Sequence, residues 1–581
     1  MNQKEWTIMI YMAGDNNLAV DMAYALEQIK SVAAAGAESP NLFVYYDGNS
    51  PAIPTLYCDF SESGKPRYVR SYKVPNKLYP VTKKENENAA DPRSIVNFVD
   101  WCVNTVEVEN EDGEISFGRR AKKYALIFSG HSLGFQDIGL FKDETAGKSM
   151  KMKDFYGVLQ GLIGNKKELE EQARENQFEG EAFEIETTVL LGQKLDMLGF
   201  DSCVMGMLEV GYQFNYVAKT LIASEGSVPS AGWTYAKILG CLTREQNRNL
   251  DTRDVAGLFV EEFIRSQDSY TVGGVSVDMA AWDLGRFAQL ADAFDGLAEA
   301  LVACFADEES RIYRQMERVI LQVHWKCQSY MYDQNVDLGD FCELLDRECA
   351  LVAEELGGGE DVELLENVQC ACAQVLQELK KAVILSGFSG GGYQYSNGVA
   401  VFFPWSREAY EVSKKNYESL WFAQDVKRQR LSWTDFLKKY LYEVSFRRCE
   451  KLGDTDAAAG EKYRYRSGVE FDERARVMQG GSGSLRTKIS GQEGSKISGQ
   501  EGSKISGQEG SKISGQEGSK ISGQEGSKIS GQEGTKISGQ EGSKLAGGGA
   551  NAFFNSLRLF KNIESRWDIS GFTKKPEPRN L

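Results

Sequence analysis

The sequence predicts an α/β fold built on a mainly parallel sheet, extended by a mostly helical C-terminal lobe and followed by a low-complexity repeat tail. Three observations carry this. Apolar runs at residues 6–12, 42–46, 124–128 and 195–200 have the continuous hydrophobicity of strands buried on both faces. Stretches with helical spacing separate these runs, which calls for right-handed strand–helix–strand crossovers. From Lys488 the octapeptide KISGQEGS occurs seven times, with Thr535 its one variant.

Taken in order, the first strand breaks at Ala13-Gly14-Asp15-Asn16-Asn17, turn chemistry that also caps a helix over 18–32. A strand at 42–46 and a more polar hairpin over 56–72 follow, and Asp91-Pro92 opens a helix through 104. The run 124–128 is the next strand, ending in the small, flexible turn Ser129 to Gly134. After a helix over 151–163, residues 164–187 are highly charged and read as an exposed insertion carrying Lys166, Lys167 and Arg174. The strand 195–200 leads through Asp201-Ser202 to Cys203, where a helix begins with Val204, Met207, Leu208 and Tyr212 at helical spacing. The strand 221–223 runs into Ser224-Glu225-Gly226 and a Pro/Gly loop reaching Trp233, and a strand at 275–279 precedes a helix over 284–305.

Residues 307–381 are mostly helical, with Val336-Asp337-Leu338 introducing one helix and 361–381 forming another. Residues 382–385 and 399–403 read as a hairpin and 431–444 as a helix. The glycines 390–392 lack the Lys-Ser/Thr that a phosphate loop needs. This divides the chain into a sheet domain (1–305), a helical and hairpin lobe (306–453), a linker with the repeats (454–550) and a last segment (551–581). Each repeat offers one isoleucine, one lysine, one glutamate and two glycines, too little apolar surface to offset ordering, so disorder is expected over a β-solenoid of stacked isoleucines. The last segment regains Phe553, Leu557, Phe560 and Trp567 and is suited to dock on the body.

Composition excludes several classes. The net charge is −17, with no basic stripe interleaved with aromatics, so nucleic acid is not an expected partner. No run of about 18 apolar residues exists to span a membrane. The start, MNQKE, passes at once into a strand pattern without a signal-type leader, which reads as cytoplasmic, with secretion left open if translation starts upstream. The 11 cysteines are scattered, and the one close pair, Cys370 and Cys372, lacks CxxC spacing, so reduced thiols and no zinc site are expected.

The chemistry gathers at two strand tips. A cysteine where a parallel strand gives way to a helix has backbone N–H groups beside it, and these favour thiolate and can receive an oxyanion. A nucleophilic cysteine needs a base, and the chain holds two histidines. His131 follows the strand 124–128 at its tip, on the same sheet edge as Cys203 if both strands are parallel. His324 lies in LQVHWKC on a helix and reads as a packing residue.

The order strand–His–turn, then strand–Asp–x–Cys–helix, resembles the clostripain-like cysteine peptidases of the caspase-like superfamily. The resemblance extends over about the first 445 residues and includes WTIMIYMAGDNNL, NLFVYYDG, IASEGSVPSAGWTY, VDLGDF and NGVAVFFP. It implies a caspase-like α/β/α sandwich and an endopeptidase using His131 and Cys203 as a dyad, with the oxyanion held by amides near Ser132 and Cys203. This chain has Ser132 where the family usually has glycine. The resemblance also implies cleavage after Arg or Lys, with Asp201 selecting the cation and Glu225 as a second wall of its pocket, and self-cleavage between His131 and Cys203. The plainer alternatives are that Asp201 caps the helix and that Glu225 is a surface acid. No cofactor is required for thiol acyl transfer. Calcium stays open because the family includes calcium-dependent members, although no D-x-D-x-D-G loop is present and Asp15, Asp47 and Asp137 read as turn residues. The expected partners are proteins or peptides with basic residues, and the oligomeric state is open. The rival function is a catalytically inactive caspase-like scaffold acting as a binding protein.

Overall fold

The computed structural model describes residues 4–444 apart from 34–39, 50–53, 63–65, 75–78, 80–85, 105–119, 138, 164–189, 245–246, 248–249, 268–275, 331–333 and 425–430; beyond 444 it describes the backbone of 496–499 and 503–506. In chain order the elements are β1 (Lys4–Gly14), α1 (Ala19–Ala33), β2 (Asn41–Gly48), β3 (Leu56–Asp59), β4 (Arg67–Arg70), α2 (Pro92–Asn104), β5 (Ala121–Ser129), α3 (Met152–Ile163), β6 (Leu195–Asp201), α4 (Leu208–Phe214), β7 (Ala218–Ala223), α5 (Thr252–Ser266), β8 (Val277–Asp283) and α6 (Phe287–Ala303). The remainder comprises α7 (Arg311–Lys326), β9 (Ser329–Tyr330), β10 (Asn335–Asp337), α8 (Leu338–Leu356), α9 (Glu360–Ala382), β11 (Val383–Ser389), β12 (Ala400–Phe402) and α10 (Arg407–Tyr417), with short helical turns between and after these.

Nine strands form one sheet in the order β11-β8-β7-β6-β5-β1-β2-β3-β4. Its centre, from β7 to β2, is parallel, and antiparallel pairs close both flanks. The period of two along each central strand feeds two cores. Met9, Tyr11 and Ala13 of β1, with Tyr124, Leu126 and Phe128 of β5, face the core that takes in α2, α3, α4 and α6. Ile8, Ile10 and Met12, with Ala125 and Ile127, face the other, under α1 and α5. Both faces are therefore covered, and the layers are those of an α/β/α sandwich. The strands lack an alternating polar face for this reason.

From α7 to residue 444 the described chain packs on the sheet domain. The first core continues without a break into Val323, Phe341, Leu379, Phe403 and Trp433. The expected hairpin of 382–385 with 399–403 is not formed. Instead β11 pairs antiparallel with β8 at the sheet edge, and β12 pairs with β10 in a separate three-stranded sheet, β12-β10-β9. The charged insertion, with Lys166, Lys167 and Arg174, lies outside the described residues, as does the segment 551–581. Within the repeats, Lys496–Gly499 and Ser503–Ser506 pair as antiparallel strands. No described helix is long and apolar enough to cross a membrane.

Candidate active site

Parallel pairing of β5 with β6 places Ser129 opposite Asp201, so the two strands end at the same level. The chain leaves β5 through Gly130 and puts His131 just beyond the tip, 2% exposed. Its carbonyl accepts the Phe141 N–H at 2.9 Å. Its Nε2 lies 2.9 Å from Oδ1 of Asn17, in the loop after the neighbouring strand β1. An amide oxygen only accepts, so Nε2 carries the ring proton and Nδ1 is the basic nitrogen. Asn17, read from sequence as part of a turn, is thus the group that orients the histidine.

Cys203 stands two residues past the end of β6 and is 1% exposed. The helix expected to begin there starts at Leu208, and Met207 is its N-terminal flanking residue. Asp201 therefore caps no helix, and no helix N-terminus lies at the thiol. The intervening turn pairs instead with the chain beyond β7: the Val204 N–H donates to the Gly226 carbonyl at 2.9 Å and the Gly206 N–H to Ser224 at 2.7 Å. Gly206 is needed for this approach, because a Cβ there would stand 2.5 Å from the Glu225 nitrogen. Val204 adopts φ +60°, a left-handed conformation costly for a β-branched residue. The thiol is held by Val228, whose N–H reaches Sγ at 3.0 Å and whose carbonyl lies 3.4 Å from it.

The two turns are joined directly. Ser132 donates its hydroxyl to the Cys203 carbonyl at 2.6 Å. Three residues before Ser132, Ser129 donates to Asp201 Oδ2 at 2.9 Å, and the Tyr235 hydroxyl donates to the same oxygen at 2.8 Å. Asp201 is buried against Gly232, where a Cβ would lie 2.6 Å from Oδ2. Gly232 also lines a shallow cleft with Gln28, Pro229, Ala231, Thr234 and Gln267. Burial, and next the charge of Asp201, push the Tyr235 phenol well up, so it remains a donor.

Glu225 is buried and turned toward other elements. Its Oε2 accepts the Gly398 N–H at 2.8 Å, and its carboxyl sits beside Asp337 and Asp278. Asp278 in turn accepts the Glu225 and Gly226 amides at 2.6 and 2.9 Å. Neither a surface acid nor a residue of the Gly232 cleft, it ties the end of β7 to the loop before β12. His324 is a packing residue as expected, its ring stacked between Phe403 and Trp405 at centroid distances of 4.0 and 3.9 Å. Asp137 accepts the Met152 N–H at the start of α3, a turn role. Among the described residues the metal-competent group is a different one, Asp15, Asp47 and Asp143. Among the described residues no disulfide joins two cysteines.

Residues 176–440 match the profile described as the clostripain family, a stretch that includes Asp201, Cys203 and Glu225 and leaves His131 outside. Clostripain from Hathewaya histolytica is 26% identical over 342 residues, which are 51% of this chain and 56% of that protein, so the chain spans little more than half the length of this curated relative. An inactive zymogen C11 protease from Parabacteroides distasonis is similar at 17% identity and a TM-score of 0.45, over 73% of this chain and 99% of that one. A secreted C11 cysteine protease from Bacteroides thetaiotaomicron, solved with an irreversible peptide inhibitor, is similar at 15% identity and a TM-score of 0.45, over 72% and 98% of the two chains.

Proposed function

We propose that this chain, whose residues 176–440 match the clostripain family, is a cysteine endopeptidase that cuts after Arg or Lys through Cys203 and His131. The observation that carries this reading is the bond between Ser132 and the Cys203 carbonyl, which joins the histidine turn to the cysteine turn at adjacent parallel tips. With Nε2 bonded to Asn17, Nδ1 of His131 takes the thiol proton. The thiolate sulfur attacks the scissile carbonyl carbon, and the oxyanion is held by amides near Ser132 and Cys203. The imidazolium then gives its proton to the departing amine, and water releases the acyl group from sulfur.

The preference for a cation is supported by Asp201, a buried carboxylate packed against Gly232, which lines the shallow cleft. Thiol chemistry needs no cofactor. The substrates are proteins or peptides with basic residues, and the charged segment 164–187 is a substrate within the chain itself, cut after Lys166, Lys167 or Arg174. A second reading, a caspase-like scaffold without activity, is favoured by one observation, the burial of Cys203 under Val228.

An acyloxymethyl ketone carrying a P1 Arg or Lys separates the two. Mass gain on Cys203 in the wild-type chain, absent in Cys203→Ala and His131→Ala, is the expected result. An unlabelled wild type that also leaves Arg- and Lys-amide substrates intact would establish the scaffold.

A further inference from the structure

The octapeptide array has a regularity that the folded body does not explain. From Lys488 to Lys544 eight lysines recur at intervals of eight residues, and no other basic residue lies between the first and the last. Seven of them are followed by Ile-Ser and the last by Leu-Ala. The one variation, Thr535, changes the residue before a lysine and leaves every lysine and the isoleucine after it in place. An enzyme that cuts after Lys or Arg therefore meets one bond per repeat, always in the same register. Eight cuts divide the array into seven octapeptides, six copies of ISGQEGSK and one of ISGQEGTK from residues 529–536.

The array is also open to attack. A peptidase takes its substrate as an extended segment, so lysines fixed in packed elements, such as Lys123 of β5, Lys219 of β7 or Lys380 of α9, are protected. One isoleucine against two glycines in each repeat is too little apolar surface for a packed core. Among the described residues the array contributes Lys496–Gly499 and Ser503–Ser506, which pair with each other in a two-stranded sheet. Such a pairing by itself is marginally stable in water, so it opens to a peptidase. The 43 residues between Val444 and Lys488 reach up to about 140 Å when extended. A body of about 440 residues has a radius of gyration of about 22 Å. The array can therefore reach the cysteine site of its own molecule as well as that of another copy.

We propose that the repeat tail is a tandem peptide precursor, cut after each array lysine by the chain's own cysteine site to release seven octapeptides; this rests on the Arg/Lys-directed activity proposed above. In each cut the Cys203 sulfur bonds to the lysyl carbonyl carbon and the bond from that carbon to the next nitrogen breaks. The nitrogen leaves as a free amine with the proton held by His131, and water then splits the thioester to leave a lysine carboxylate. Each product begins with isoleucine and ends with lysine, and its two positive and two negative groups cancel near neutral pH.

The test uses the full chain. Wild type on incubation should release ISGQEGSK and ISGQEGTK in a ratio of 6:1 by mass spectrometry. Cys203→Ala and His131→Ala should release neither alone, and both peptides when a trace of wild type is added. Lys528→Gln fuses two units into one 16-residue peptide, so ISGQEGTK should vanish and ISGQEGSK fall from six copies to five, while Lys528→Arg should keep ISGQEGTK. A Lys-amide reporter assayed alongside separates the two proposals. A wild type that turns over the reporter but keeps its array intact by whole-chain mass overturns the precursor and leaves the peptidase standing. Equal release from Cys203→Ala assigns the cuts to another enzyme and also overturns it. A wild type that neither turns over the reporter nor loses its array overturns both.

Discussion

Ser132 donates its hydroxyl to the Cys203 carbonyl across 2.6 Å, and both residues are buried. The bond joins two loops just beyond the paired ends of β5 and β6. Removing the hydroxyl leaves a buried carbonyl without its donor, at a cost of roughly 1–3 kcal/mol. Ser132→Ala should therefore unfold at lower urea and lose at least about tenfold in kcat/KM, as the nucleophile's backbone loosens against the histidine turn. An unchanged urea midpoint with unchanged turnover would show that the bond holds neither.

The two histidines should respond in opposite ways. Asn17→Ala leaves the His131 ring without the group that fixes its tautomer, so activity should fall by about tenfold to a hundredfold while thermal stability changes little. His324→Ala removes a ring stacked on both faces and should cost on the order of 2 kcal/mol of stability, yet keep full activity per folded molecule. Active-site titration with a covalent inhibitor beside calorimetric melting reads both quantities. A stable but inactive His324→Ala would mean that the base has been misassigned.

What the sequence made legible follows from how local each signal was. The central strands show as unbroken apolar runs because both faces of the sheet are covered, and the two tip residues stand out because histidine is so scarce. The helix start was not legible, since Val204 and Gly206 spend their amides on Gly226 and Ser224, a strand-like pairing that helical spacing in the sequence conceals. The same holds for β11 and β12, which look like neighbours in a hairpin but find partners about 100 and 65 residues earlier, in β8 and β10. Asp143 could not be singled out from sequence, because its acidic neighbours Asp15 and Asp47 lie more than 90 residues before it.

Asp201 is fixed by two hydroxyls on one oxygen, so Asp201→Asn retains acceptor capacity there while losing the charge. Cleavage after Arg and Lys should fall more than the rate at which a small alkylating agent modifies Cys203. A peptide library compared between wild type and variant checks this. An unaltered preference for basic residues would leave Asp201 with a structural role between β6 and Tyr235.

Stability should fall as pH rises through neutrality. Burial pushes the Asp278 carboxyl up to about 7 and Asp337 up to about 6, and it holds Glu225 well above the usual range, with the charges of Asp337 and Asp278 adding to the effect. The phenols of Tyr330 and Tyr393 face the same cluster and stay neutral. A carboxyl raised on folding binds more protons in the native than in the unfolded chain, so its contribution is complete below about pH 4 and is lost as pH climbs through 6 to 7. Asp278→Asn keeps an acceptor for the Glu225 and Gly226 amides and removes a charge. Its urea midpoint should drop less than that of the wild type between pH 5 and pH 8, and equal drops would locate the pH dependence elsewhere.

Val204 carries the strain of the nucleophile turn. At φ +60° a β-branched side chain costs about 1–3 kcal/mol, and the side chain is buried, 2% exposed. Truncation sets these two effects against each other. Val204→Ala loses apolar burial but keeps a Cβ in the left-handed region, so the strain largely remains. Val204→Gly loses slightly more burial and removes the strain, since glycine adopts positive φ without penalty. At ordinary positions glycine is about 0.5–1 kcal/mol less stable than alanine; here the order should reverse, with Val204→Gly the more stable of the two by roughly 1 kcal/mol in urea unfolding. The glycine variant should nevertheless react more slowly with a covalent inhibitor, because the turn that fixes Cys203 against Val228 gains freedom. Alanine proving the more stable substitution would mean that the turn relaxes out of the left-handed conformation.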